Sequence, residues 1–237
     1  MALPEIKRPL FTMTMPSTKK EVTFRPFLVG EEKILLMAQE SGDDRDIIRA
    51  IKQILTNVIV SESFSPRALT TFDLEYMFLK LRAKSVSNIM EMSYIDNEDQ
   101  KKYDFQINLD DIEVTYPEGN WSNKIKASDD IGITLRYPTV ELLASLDASE
   151  TETEMVDQMV RGCIASIYDA ETVYLADEQD PADLAAFIDK LDPKTYKEIR
   201  SFFDGMPQVI HTINYKNSLG NDRKIELRTL KDFFTWA

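Results

Sequence analysis

With 237 residues, 43% of them hydrophobic and 29% charged, the chain has a globular composition and enough length for one large domain or two small ones. A net charge of −13 excludes non-specific nucleic-acid binding through the whole surface, and no apolar run nears the roughly 18 residues of a membrane span. A single cysteine, Cys163, cannot form an internal disulfide, and the opening residues lack a secretion signal's apolar core, so a reducing cytoplasm is expected.

In chain order, residues 10–15 and 21–25 read as two strands around Pro16-Ser-Thr-Lys19, with Val22 and Phe24 alternating against Thr23 and Arg25. A helix from about Gly30 to Glu40 carries Ile34, Leu35, Met37 and Ala38, and Ser41-Gly42 stops it. Asp43 or Asp44 caps the next helix, which runs to about Val60 with Ile47, Ile51, Ile54, Leu55 and Val58 at helical spacing. Residues 71–86 form the organising element. On a helix, Phe72, Tyr76, Leu79 and Ala83 share one side, while Leu74, Met77, Phe78 and Leu81 lie roughly opposite. Asp73, Lys80 and Lys84 fill one seam between them, and Glu75 and Arg82 the other. A helix apolar on two sides is central to its domain, with Thr71 as its expected N-cap.

Beyond Ser87 the period falls to 2. Ile89–Tyr94 and Tyr103–Leu109 form a hairpin whose tip is the polar stretch Asp96–Lys102. That stretch has the outline of a calcium loop, but Lys101 stands where the sharp turn needs glycine and Ile107 where the bidentate Glu belongs. The second half repeats the order. Ile133–Pro138 is a strand stopped by proline, a short helix reaches about Leu146, and Thr151-Glu-Thr-Glu154 opens a capping-box helix expected to reach Tyr168. Asp180-Pro181 and Asp192-Pro193 each set a cap with proline at the first helical position. Gln208–Tyr215 and Lys224–Leu227 form a hairpin around Asn217-Ser-Leu-Gly220, and Leu230–Ala237 a helical aromatic tail expected to dock on its own core, with a free anchor for a partner as the alternative.

The reading is therefore α+β, a helical core with short antiparallel hairpins and an internal pseudo-repeat of strand, helices and hairpin. The expected lobes are 1–118 and 119–237, packed either separately or as one unit.

Residues 138–192 hold 14 Asp and Glu against Arg161 and Lys190, a balance of −12. This is either a solvated face or a docking surface for a basic partner, with Glu150, Glu152, Glu154 and Asp157 as the candidate contacts. Catalytic chemistry is thin. His211 and Cys163 cannot make a zinc site alone, and neither a phosphate loop, a dinucleotide fingerprint nor a nucleophile elbow is present. No cofactor or metal is expected. Paired carboxylates leave only a glycosidase-type reaction open, with nothing to choose a pair.

Several stretches, in order along nearly the whole chain, resemble the baseplate protein family of T-even-type contractile-tailed bacteriophages. They include Pro16-Ser-Thr18, Phe24-Arg-Pro-Phe-Leu-Val29, Phe72-Asp-Leu-Glu-Tyr76, Arg82-Ala-Lys-Ser-Val86, Ile107-Asn-Leu-Asp-Asp-Ile112, Phe202-Phe-Asp-Gly-Met-Pro207 and Asp232-Phe-Phe234. The resemblance implies a non-enzymatic protein that assembles the baseplate hub or stays within it. It would bind other hub or tail proteins or itself, in the host cytoplasm during assembly or in the virion. The alternative is a tail-associated cell-wall hydrolase. Some members of the family have Cys pairs near the hairpin tips. Here the tips read Asp96–Lys102 and Asn217–Gly220, so no metal staple is expected and the hairpins should hold by packing alone.

Overall fold

The structure, a computed structural model, describes residues 6–62, 64–116, 122–146 and 151–233. It is α+β, with short antiparallel strands and hairpins. Strands β1 (Phe11–Thr14) and β2 (Glu21–Phe24) pair first. Helix α1 (Val29–Ser41) starts where Glu31 accepts from the Leu28 N–H at 2.6 Å and ends at Gly42, whose φ of 72° is the left-handed turn glycine tolerates. Asp43 caps α2 (Asp44–Val58) through the Arg45 N–H, and Ile47, Ile51, Ile54, Leu55 and Val58 are buried as their spacing requires. Then come α3 (Thr71–Ser85), β3 (Ile89–Ile95), β4 (Lys102–Asn108) and β5 (Val114–Thr115). Thr71 is the first helical residue of α3, one position later than a cap.

The chain continues through β6 (Lys124–Lys126), β7 (Gly132–Leu135), α4 (Val140–Ser145), α5 (Glu152–Cys163), β8 (Ile164–Tyr168) and β9 (Val173–Leu175). Helices α6 (Pro181–Ile188) and α7 (Pro193–Asp204) follow, capped by Asp180 and Asp192 as their Asp-Pro pairs predict. Strands β10 (Gln208–Val209), β11 (His211–Lys216) and β12 (Asp222–Leu227) close the fold, before a single 3-10 turn, Leu230–Phe233. In that turn Leu230 and Phe233 are buried; the rest of the expected tail, Phe234–Ala237, lies outside the described residues.

Two compact units result. The first comprises the chain up to Pro66, Phe72–Thr115 and everything from Gln208; the second comprises Arg67–Thr71 and Tyr116–Pro207. The expected division at 118/119 put the C-terminal hairpin in the second lobe, whereas here it groups with the first. The reason is a short antiparallel pair, β5 with β10, in which Val114 meets Val209. The chain leaves the first unit beside the point where it returns.

In the first unit both faces of α3 are buried, as the opposed apolar sides require. Leu79 and Ala83 pack with Met90, Ile107, Ile225 and Leu227 from the two hairpins, with Leu109 just past β4 and with Phe233 from the closing turn. The seam of Asp73 and Lys80 is satisfied inside the fold. Asp73 accepts from the Ser17 N–H at 2.9 Å, and the Lys80 ammonium donates to the Leu109 and Asp110 carbonyls at 3.3 and 2.6 Å.

The hairpin tips correct one expectation, because packing is not all that joins them. Asp96, fully buried, accepts from the Tyr215 hydroxyl and from Arg223 Nε at 3.0 Å. Glu98 accepts from Asn217 and Asn221 at 2.5 and 2.7 Å. Asp99 accepts from the Tyr103 hydroxyl, the Ser218 N–H and the Ser218 hydroxyl at 2.6, 2.9 and 2.8 Å. Burial pushes the Asp96 and Asp99 carboxyls up, but these hydrogen bonds outweigh it and hold both below the ordinary Asp value. The tip that resembled a calcium loop spends its carboxylates on the partner hairpin.

In the second unit, β6-β7-β8-β9 form an antiparallel sheet, with α4 and α5 inserted between β7 and β8. Its core joins Ile133, Leu135, Val160, Cys163, Ile164, Ile188, Ile199 and Phe202. The helix expected to reach Tyr168 stops at Cys163. Ile164-Ala-Ser-Ile-Tyr168 is rich in β-branched and aromatic residues, and here it pairs with strands on both sides.

Candidate binding surface

Of the four acids singled out in the sequence, the side chains of Glu154 and Asp157 are described, and both are engaged within α5. Glu150 lies outside the described residues, and Glu152 is the first residue of α5. The Glu154 carboxylate accepts from the Thr151 N–H at 2.8 Å and its hydroxyl at 2.7 Å, closing the capping box; these bonds lower its pKa. Asp157 pairs with Arg161 one turn on, at 3.0 Å.

Potential catalytic groups are scattered. Cys163 is buried and its thiol is pushed up to about 12, so it stays protonated and unreactive at neutral pH. His211, half-buried on β11, is shifted down by burial. Burial raises Glu75 on α3 to about 7, but it does not line the groove described below. Among the described residues, no three His, Cys, Asp or Glu side chains converge on a possible metal position.

An open, apolar-lined feature lies at the end of the second unit's sheet. Asp169 turns β8 into β9, its carboxylate accepting from the Glu171 and Thr172 N–H groups at 2.9 and 2.8 Å. Arg136, just past β7, forms a two-pronged ion pair with Asp177 (2.9 and 2.6 Å) and donates to the Gly162 carbonyl, fixing the segment after β9. Between this sheet and α6 lies a groove of about 310 Å³, lined by Ile131, Ile167, Tyr168, Tyr174, Leu184 and Phe187, with Asp169 and Asp183 among its walls. Gly132 shapes it. A Cβ there would stand 2.2 Å from the Tyr168 ring, so only glycine lets that ring lie across β7.

The sheet's two outer strands differ. β6 carries Lys124 and Lys126 around buried Ile125, a charged edge of the kind that discourages further pairing. On β9, Val173, Tyr174 and Leu175 are 63%, 42% and 48% exposed. Sequence reading missed this surface because it ran a helix through residues 164–168. The β-branched run followed by Asp-Ala-Glu-Thr172 was the available signal.

Among the described residues no helix is long and apolar enough to cross a membrane. A family model described as "T4 bacteriophage base plate protein" matches residues 8–235, nearly the whole chain. No curated protein and no solved structure matches the chain.

Proposed function

The chain belongs to the T4 bacteriophage base plate protein family, and on that premise we propose that it acts by protein–protein binding, without catalysis, in building the baseplate hub or as a subunit of it. The match over residues 8–235 carries this reading, and the scatter of titratable groups supports it. Its partners are other hub or tail proteins, met in the host cytoplasm. The acidic stretch 138–192, with Glu150, Glu152, Glu154 and Asp157, would steer basic partners toward the second unit, an effect on association rate more than on final affinity.

Two measurements test this. Co-expression with the phage's hub proteins should give a complex that survives size-exclusion chromatography; no complex with any of them would refute hub binding. Mass spectrometry of purified virions then separates the two forms of the proposal, stoichiometric presence marking a subunit and absence an assembly factor. Turnover of purified peptidoglycan by the isolated chain would refute the non-enzymatic role.

A further inference from the structure

We infer that the edge of β9 that pairs with no strand among the described residues, together with the groove beside it, takes an extended segment of another protein as a fifth strand of the sheet. In this arrangement an apolar side chain of the segment is seated in the groove, with lysines or arginines flanking it. The inference deepens the binding role proposed above and rests on it for the partner being a tail protein.

The backbone supplies the first argument. The Asp169 N–H donates to the Thr172 carbonyl at 3.0 Å, and β8 and β9 then run in unbroken register with Ile167 opposite Tyr174. Antiparallel pairs alternate between bonded and non-bonded. Tyr174 therefore points its N–H and carbonyl at β8, and Val173 and Leu175 turn their N–H groups to the open side. Edge addition of this kind gains main-chain hydrogen bonds, with pockets for alternate side chains giving specificity. The groove lined by Tyr168, Tyr174, Leu184 and Phe187 is such a pocket, and 310 Å³ accommodates a large aliphatic or aromatic group.

Charge chooses the occupant. From Ile164 to Asp189 the chain has seven Asp and Glu and no Lys or Arg. Within that span Asp169 and Asp183 line the groove itself, and Glu171 sits in the β8–β9 turn. A second copy of this chain would bring the same acids against them, and like charges opposed across an interface are unfavourable. A basic segment fits.

The test uses the full-length chain and a fluorescein-labelled heptapeptide alternating lysine with valine and one central phenylalanine, beside its glutamate counterpart, read by anisotropy. The lysine peptide should bind saturably and weaken about ten-fold or more as salt is raised from about 50 to about 500 mM. The glutamate peptide should not bind. Leu175→Pro removes an outward N–H at a position whose φ of −70° already suits proline. Val173→Lys gives β9 the guard that β6 carries. Each should weaken binding about ten-fold or more, with circular dichroism and melting unchanged. Should Leu175→Pro unfold, Val173→Lys decides alone. Equal binding by variant and wild type, equal affinity for both peptides, or no saturation by about 1 mM overturns the inference. So does a dimer of the chain that Val173→Lys dissolves, which would give the edge to a second copy. The probe is synthetic, so failure here leaves the hub-complex and virion experiments to judge the broader role separately.

Discussion

The hairpin tips of the first unit and the sheet edge of the second are built from the same materials, acidic turns beside aromatic strands, and they end in opposite states. At the tips, Asp96, Glu98 and Asp99 are each held by donors from the other hairpin, Tyr215, Asn217, Ser218, Asn221 and Arg223. At the edge, Asp169 caps its own turn and the apolar side chains of Val173, Tyr174 and Leu175 face outward. An acidic residue thus says little about function until its donor is found. Where donors from a distant segment hold the carboxylates they join two parts of the fold, and where apolar surface stands exposed beside a run of acids without Lys or Arg a basic partner from outside is the physical complement.

The first unit's closure can be broken most severely at its centre. Phe78→Ala, on the fully buried face of α3, should cost about 3–5 kcal/mol in urea unfolding. A loss under about 1 kcal/mol, the level of a surface change, would show that α3 is not enclosed on both sides.

A smaller effect is expected at the tips, and it depends on pH. Because Asp96 and Asp99 sit below their ordinary value in the folded state, they contribute stability that is present above pH 3.8 and is lost as pH falls through their folded values. Protection factors of the amides at residues 96–101 and 217–221, taken against intrinsic exchange at each pH, should therefore fall together on acidification below 3.8, ahead of the rest of the unit. Independent loss of protection in the two loops would mean the carboxylates do not join them.

Glu75 has the opposite sign. Its folded value of about 7 lies above the ordinary 4.5, so the wild type should lose stability as pH rises from 4.5 to 7. Glu75→Gln should abolish that slope and gain on the order of 2 kcal/mol at pH 8 over its effect at pH 4.5. Parallel stability profiles for the two proteins would show that Glu75 is better solvated than its position implies.

On the open side, Gly132→Ala should cost about 1–2 kcal/mol, because the Tyr168 ring must move off β7. As that ring lines the groove, the lysine peptide should also bind more weakly. Unchanged melting and unchanged binding together would mean that the ring relocates freely.

Much of the secondary structure was legible because its causes are local. The caps at Asp43, Asp180 and Asp192, the Thr151 to Glu154 capping box and the two apolar faces of α3 are each read within a few turns of chain, and each stands in the fold. The misread stretch was Ile164–Tyr168, where helical momentum from α5 and β-branched composition compete and only pairing with β7 and β9 decides. The candidate site was not legible. Of the acids that stood out in the sequence, Glu154 serves a cap and Asp157 an i,i+4 pair, while the groove needs Ile131, Ile167 and Leu184 brought together by the sheet and α6. The tips were hidden for the same reason, since Asp96 and Tyr215 are 119 residues apart. By itself the sequence determined most helix starts and the acidic balance, which rest on composition and short spacings, and its ordered stretches carried the resemblance to the family. Only the tertiary structure decided that β10 returns to β5, that the hairpin carboxylates find their donors and that β9 is left, among the described residues, with an unpaired edge, because each depends on which distant segments meet.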